Sequence, residues 1–295
     1  MKSSGFNVIC IVGILVSFMA GCIAWEPGWK QAQAPAVKGD VKALIGKAKK
    51  LESEADSREK LSQLITALED VLKADPRNQQ ALQDLGSYCY LMGYGYGNDK
   101  GEKVENYRKA LQYCERSMYR DPDFKALVDK GEEVWNACRV LKKDNMRAIY
   151  FYYMAAGNWW VECLGPLEKM VSFFWIGRGK KLLEYMTAID PQWGYGRVYF
   201  AWACLYTVSP GFLGGDMKKA DEYFNKALAL GPHMNVFYGT RARYYQVKMK
   251  DRKAFSGDLH HALAIDPRKM DEYPWAVWYH VKSVEMLKDI DTYFE

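Results

Sequence analysis

The chain has 295 residues, of which 49% are apolar and 26% charged, and its 41 basic and 36 acidic side chains give a net charge of +5. That balance excludes a disordered, collagen-like or polytopic membrane chain. The basic excess is too small and scattered to point to nucleic acid, and four His with no recognisable catalytic motif point away from an enzyme.

Residues 1–21 read as a secretory signal. Lys2 supplies a positive start, and Phe6 to Phe18 form a largely apolar run. That run is about a dozen residues, and a ~30 Å hydrocarbon core needs about twenty. It closes on Met19-Ala20-Gly21-Cys22, similar to a bacterial lipobox, in which small residues precede a Cys whose thiol receives diacylglycerol; Met19 stands where Leu is usual. Cys22 is therefore the expected lipidation site, with lipid chains as the sole membrane anchor. The other reading is an ordinary cleaved signal followed by an incidental Cys. Ile23 is not Asp, so the second-position rule does not indicate inner-membrane retention, and the expected location is the periplasmic face of the outer membrane. Residues 22–40, rich in Pro, Gly and small polar side chains, read as a lipidated N-terminus and flexible tether. Residues 41–295 read as a single helical-repeat domain.

One phrase recurs five times and sets the architecture: Leu64/Leu68/Val71/Pro76, Ala110/Cys114/Ser117/Pro122, Gly179/Leu183/Met186/Pro191, Ala220/Phe224/Ala227/Pro232 and Phe255/Leu259/Ala262/Pro267. Steps of four and three place the first three residues of each on one helical face. Asp precedes Pro in four copies (Asp75, Asp121, Asp190, Asp266), and Gly231 does so in the other. Asp can cap a following helix whose first position tolerates Pro, so each phrase predicts helix, tight corner, helix. Asp56 with Glu59, and Asp216, are expected N-caps upstream. The fourth copy matches the latter half of a tetratricopeptide repeat. The Pro markers are spaced 46, 69, 41 and 35 residues apart, against about 34 in a regular array. The expected fold is thus all-α, an irregular tetratricopeptide-like helical-hairpin solenoid with extra central helices at 124–141, 145–162 and 166–188. These are broken near Gly157 and at Gly165-Pro166. Gly93–Gly101 and Ser209–Gly215 are loops by composition.

No phosphate loop, HExxH, GxSxG or calcium loop occurs, and adjacent His260 and His261 diverge by about 100° on a helix, so neither a metal nor a cofactor is expected. Cys89, Cys114, Cys138, Cys163 and Cys204 lie in apolar helical stretches and read as free thiols, although one disulfide is possible in an oxidising compartment. The distinctive region is Ala148 to Tyr206, where 16 of 59 residues are aromatic. Tyr150-Phe151-Tyr152-Tyr153 span all sides of a helix, so that helix is either buried all round or lines a cavity or an interface. Candidate cavity residues are Trp159, Trp160, Trp175, Trp193, Tyr199 and Trp202, with Asn158 and Arg178 as polar anchors and Lys180 as a further one.

The lipobox, the irregular repeats, the aromatic middle and Gly214-Gly215-Asp216 entering the Ala220/Phe224/Ala227 helix together resemble the T-component lipoproteins of TRAP transporters, called TatT, over about residues 45–280. The resemblance implies a non-enzymatic periplasmic accessory protein that binds the substrate-binding P component of a TRAP transporter. It also implies a homo-oligomer, plausibly a trimer, with channels through the helical body. Such a protein could hold a hydrophobic organic acid in its aromatic cavity. Gly95, Tyr96, Phe212 and Gly214, in the two Gly-rich segments, are candidates for the partner-binding rim. The alternative is a tetratricopeptide-repeat scaffold lipoprotein for outer-membrane or pilus assembly, gripping a peptide in its concave face.

Overall fold

Short polar side chains decide where many of the helices begin. In the computed structural model, which describes residues 25–31, 37 and 39–294, Asp40 opens α1 (Val41–Glu52), Ser57 opens α2 (Arg58–Ala74) and Asn78 opens α3 (Gln79–Tyr96). Asp99 opens α4 (Lys100–Met118), and Asp121 opens α5 (Pro122–Asp129). In each, a side-chain oxygen accepts a backbone N–H of the first turn that has no helical partner. The central helices α6 (Met146–Asn158), α7 (Pro166–Val171), α8 (Phe174–Ile189) and α9 (Trp193–Val208) follow. Asp216 then caps α10 (Met217–Leu230), accepting the Lys219 N–H at 3.0 Å. The chain ends with α11 (Asn235–Thr240), α12 (Arg252–Ala264) and α13 (Tyr273–Lys288). No strand occurs among the described residues. The fold is an all-α helical solenoid. Residues 1–24, with the expected signal and Cys22, lie outside the described residues.

Several boundaries differ from the sequence expectation, each for a local reason. Ser57, not Asp56, caps α2; Asp56 instead pairs with Lys60. At the first corner Asp75 ends α2, and Asn78 starts the next helix two residues past Pro76. Asp121 does cap as expected, accepting from Asp123 and Phe124 with Pro122 inside the first turn. The expected helix 124–141 breaks at Gly131, whose φ of 90° is left-handed. Gly157 is helical, and the irregularity falls just after it, in a π turn over Trp159–Cys163. Gly93–Tyr96 continue α3 and are not a loop.

Gly95 is the position where that last difference matters. A Cβ there would lie 2.6 Å from Nε1 of Trp278 on α13, whose indole donates to the Gly95 carbonyl at 3.1 Å. Trp275 donates to Ser87 Oγ at 3.0 Å, and the Tyr279 and Tyr94 hydroxyls are 3.2 Å apart. The last long helix thus returns to the third, more than 180 residues earlier, and the solenoid closes on itself. A buried ionic chain ties the same seam. Arg147 (α6) bonds Asp84 (α3) at 3.1 Å and Glu272, just before α13, at 2.5 Å, and Arg197 (α9) holds the other oxygen of Glu272.

Residues 25–31 were expected in a flexible tether, but they are docked. Trp25 meets Trp159 edge-on with ring centres 5.3 Å apart, and Trp29 stacks on Tyr119 at 5.4 Å. Gln112 donates to the Glu26 carbonyl, and the Gly28 N–H donates to Glu115 at 2.7 Å. Burial drives the Glu115 carboxyl up to about 8, although that N–H and the Tyr152 hydroxyl favour the charged form. With an unfolded value near 4.5, the unfolded chain loses its proton first. Folding stability therefore falls as pH rises from about 4.5 to about 8. Glu115→Gln should gain stability over the parent progressively across that window, read as urea midpoints at fixed pH. A difference that does not change with pH would contradict this.

Candidate functional site

The closed solenoid encloses a cavity of about 110 Å³ between α3, α6, α8, α9, a second π turn at Arg241–Gln246 and α13. Its body is apolar: Trp135, Tyr152, Tyr153, Trp160, Trp175 and Leu182 are among its walls. An apolar void of about 150 Å³ can stay dry and accept a benzene ring, so this one suits a comparably small apolar group. Both π turns among the described residues feed it, Trp159–Cys163 through Trp160 and Val161, and Arg241–Gln246 through Tyr244. A π turn rotates side chains out of the register of a regular helix and is frequent at functional sites. Gly157 and Val208, both on the wall, are exposed, so the cavity reaches the surface beside the Ser209–Gly215 loop.

Its polar end forms at the seam. The Tyr94 hydroxyl lies 3.2 Å from that of Tyr279 and 3.5 Å from that of Tyr244, and Thr240 bonds Tyr279 at 2.8 Å. The guanidinium of Arg243 donates to Tyr94 at 3.3 Å. Burial pushes the Tyr244 and Tyr279 hydroxyls well above the usual range for a phenol, so they stay protonated and able to donate. Hydroxyl donors backed by an arginine can receive a carboxylate or carbonyl oxygen.

Four of the eight expected lining residues reach this cavity: Asn158, Trp160, Trp175 and Arg178. Asn158 is already occupied, donating to Tyr90 at 2.8 Å and to the Met154 carbonyl. Arg178 lies over the Trp135 ring, 3.4 Å from its centre, and pairs with Glu133 at 3.2 Å, so it is a wall support and not a free anchor. Lys180 pairs with Glu184. The other four pack elsewhere. Trp159 is against Trp25, Trp193 against Tyr150, and Tyr199 against Tyr223. Trp202 donates to Thr187 and stacks on Tyr206. The expected rim also divides. Gly95 is half-buried against Trp278, and Tyr96 is half-buried at the end of α3. Phe212 and Gly214 do lie on an exposed loop, where Gly214 takes a left-handed φ of 94°. Sequence missed Tyr94, Thr240, Tyr244 and Tyr279, whose only signal was their hydroxyl chemistry.

A second void of about 380 Å³ lies between α1, α2 and α3. Although larger, it is walled by Glu52, Tyr88, Asp84, Arg147 and Glu272, which pair with one another and leave little charge to spare. The five described cysteines are free thiols; burial raises Cys89 to about 12, away from reactive thiolate. No cluster of metal-ligating side chains is present among the described residues. None of their helices is long and apolar enough to cross a membrane.

A family profile described as TRAP transporter T-component matches residues 58–294. No curated protein matches the chain.

Proposed function

The chain belongs to the TRAP transporter T-component family, and from that premise we infer a non-enzymatic accessory lipoprotein of a TRAP-type uptake system. It is held on the periplasmic face of the outer membrane by lipid on Cys22. It oligomerises, as a trimer, and meets the soluble substrate-binding P component of the transporter. It carries a small hydrophobic organic acid, whose apolar body sits among Trp160, Trp175 and Leu182. The acid group meets the hydroxyls of Tyr94, Tyr244 and Tyr279. The observation that supports this reading is the polarity of the cavity, largely apolar along its body and hydroxyl-lined at the seam. Pockets of that kind orient a ligand through a few polar groups and gain affinity from the rest.

Handover between two proteins requires release, so the complex with the P component should be transient, with a dissociation constant on the order of micromolar. Sedimentation of this chain with the P component encoded beside it tests the partnership; no complex at about 100 μM would refute it. Benzoate and hexanoate test the cavity. Saturating ligand at about 100 times its dissociation constant should stabilise the protein by about 2.7 kcal/mol, seen as a rise in Tm. Leu182→Trp, which fills the void, should abolish the rise. A rise that survives in Leu182→Trp would place the ligand elsewhere.

A further inference from the structure

Five large exposed apolar side chains gather around α7, the start of α8 and the loop before α10. Leu167, Met170 and Val171 are 77%, 61% and 58% exposed, Phe174 is 49% and Phe212 is 78%. In α7 the first three stand at i, i+3 and i+4, so the short helix turns one apolar face outward. None of its own residues is buried, so α7 contributes little to the core and much to the surface. Phe212 joins the patch through Phe173, with ring centres 5.8 Å apart. Phe174 continues it to Trp175 at 6.1 Å, and Trp175 to Trp25 at 6.4 Å. Monomeric soluble proteins rarely leave such a contiguous patch uncovered.

We propose that this face, Leu167–Met170–Val171–Phe174–Phe212, lies on the surface of a lipid bilayer and orients the cavity mouth toward it. Trp25 identifies the occupant, because it is where the docked N-terminal segment leaves the patch. Cys22 is three residues away, and three extended residues span at most about 11 Å. A lipid on Cys22 therefore brings the bilayer to the edge of the patch. The docked segment 25–31 would prevent the body from turning away, because Gly28 fits against the Gln112 backbone so closely that a Cβ would lie 2.1 Å from its carbonyl oxygen. The cavity wall reaches the surface at Val208, in the helix leading to the Phe212 loop. An apolar ligand could pass between acyl chains and cavity without crossing open water. The argument rests on the lipidation assigned to Cys22, and the test separates the two.

The full-length protein, isolated with membranes and reconstituted in vesicles of phosphatidylethanolamine and phosphatidylglycerol, is irradiated with a phospholipid carrying a diazirine on its acyl chain. Adducts are then mapped by mass spectrometry. The expected adducts fall on the peptides holding Leu167–Phe174 and Phe212. In the triple variant Leu167→Asp, Val171→Asp, Phe212→Asp, whose positions are exposed and so should leave the helices intact by circular dichroism, labelling at Met170 and Phe174 should fall about tenfold. The mass of the N-terminal peptide reports lipidation independently. Patch labelling with an unmodified Cys22 would keep the membrane face and discard the anchor. A lipidated Cys22 with adducts elsewhere on the body, or with the patch protected by cross-links to a second copy, would overturn the proposal.

Discussion

Trp275→Ala should cost about 3–5 kcal/mol of folding stability, the range for deleting a buried aromatic side chain. The indole is buried, its centre lies 5.0 Å from that of Tyr90, and it donates to Ser87, itself fully buried. Truncation leaves both a void and an unpaired hydroxyl. Because the contact joins α13 to α3, the loss should appear as a lower urea midpoint for the whole fold together with weakened ligand binding. Tyr94 and Tyr279, the polar end of the cavity, rest on the same ring, 6.1 and 6.3 Å away. Ser87→Ala, which removes one hydrogen-bonding partner and little volume, should cost only about 1–2 kcal/mol. Equal losses for the two variants would mean that the seam is held by the hydrogen bond and not by packing.

Glu272→Gln should be as damaging at neutral pH, about 3–5 kcal/mol, since removing one partner leaves the others as uncompensated buried charges. Burial by itself raises the Glu272 carboxyl, but Arg147 and Arg197 outweigh it and hold the group down to about 2. A depressed carboxyl stabilises the fold above its unfolded value of about 4.5 and loses that contribution as pH falls toward about 2. The parent protein should therefore lose stability steeply through that acid window, while Glu272→Gln loses much less. Parallel acid curves for the two proteins would rule out Glu272 as the group responsible. Arg147 should tolerate the change better than Arg197, because Asp84 still faces it at 3.1 Å.

Features within one turn of their cause were legible in the sequence. Asp121-Pro122 and Asp216 cap the helices they were expected to cap, because an N-cap depends on residues three positions apart. The all-α architecture followed from the spacing of Leu64/Leu68/Val71 and its four repeats, all of which turn residues inward. The seam was not legible. Gly95 sits in a Gly-Tyr alternation with the composition of a loop, and only the arrival of Trp278, 183 residues later, explains why Gly is needed within a helix. The aromatic middle was half legible. Its density pointed to the correct region, but Trp202 and Trp160 look alike in sequence. Which of them faces the void depends on a π turn that shifts Trp160 relative to a regular α6. Tyr94, Tyr244 and Tyr279 escaped notice because three separate helical segments bring them together.

An open repeat array can gain or lose a unit at little cost, because each unit leans only on its neighbours. Here the bond from Trp275 to Ser87 spans 188 residues, and the chain behaves more like a ring with one clasp. Most contacts along it are local and can form early, whereas the clasp must await the whole loop and carries its closure entropy. The cavity does not exist until the clasp shuts. Deleting the final helix would not shorten the molecule by one unit; it would leave an open spiral whose aromatic lining faces water, prone to aggregate during synthesis.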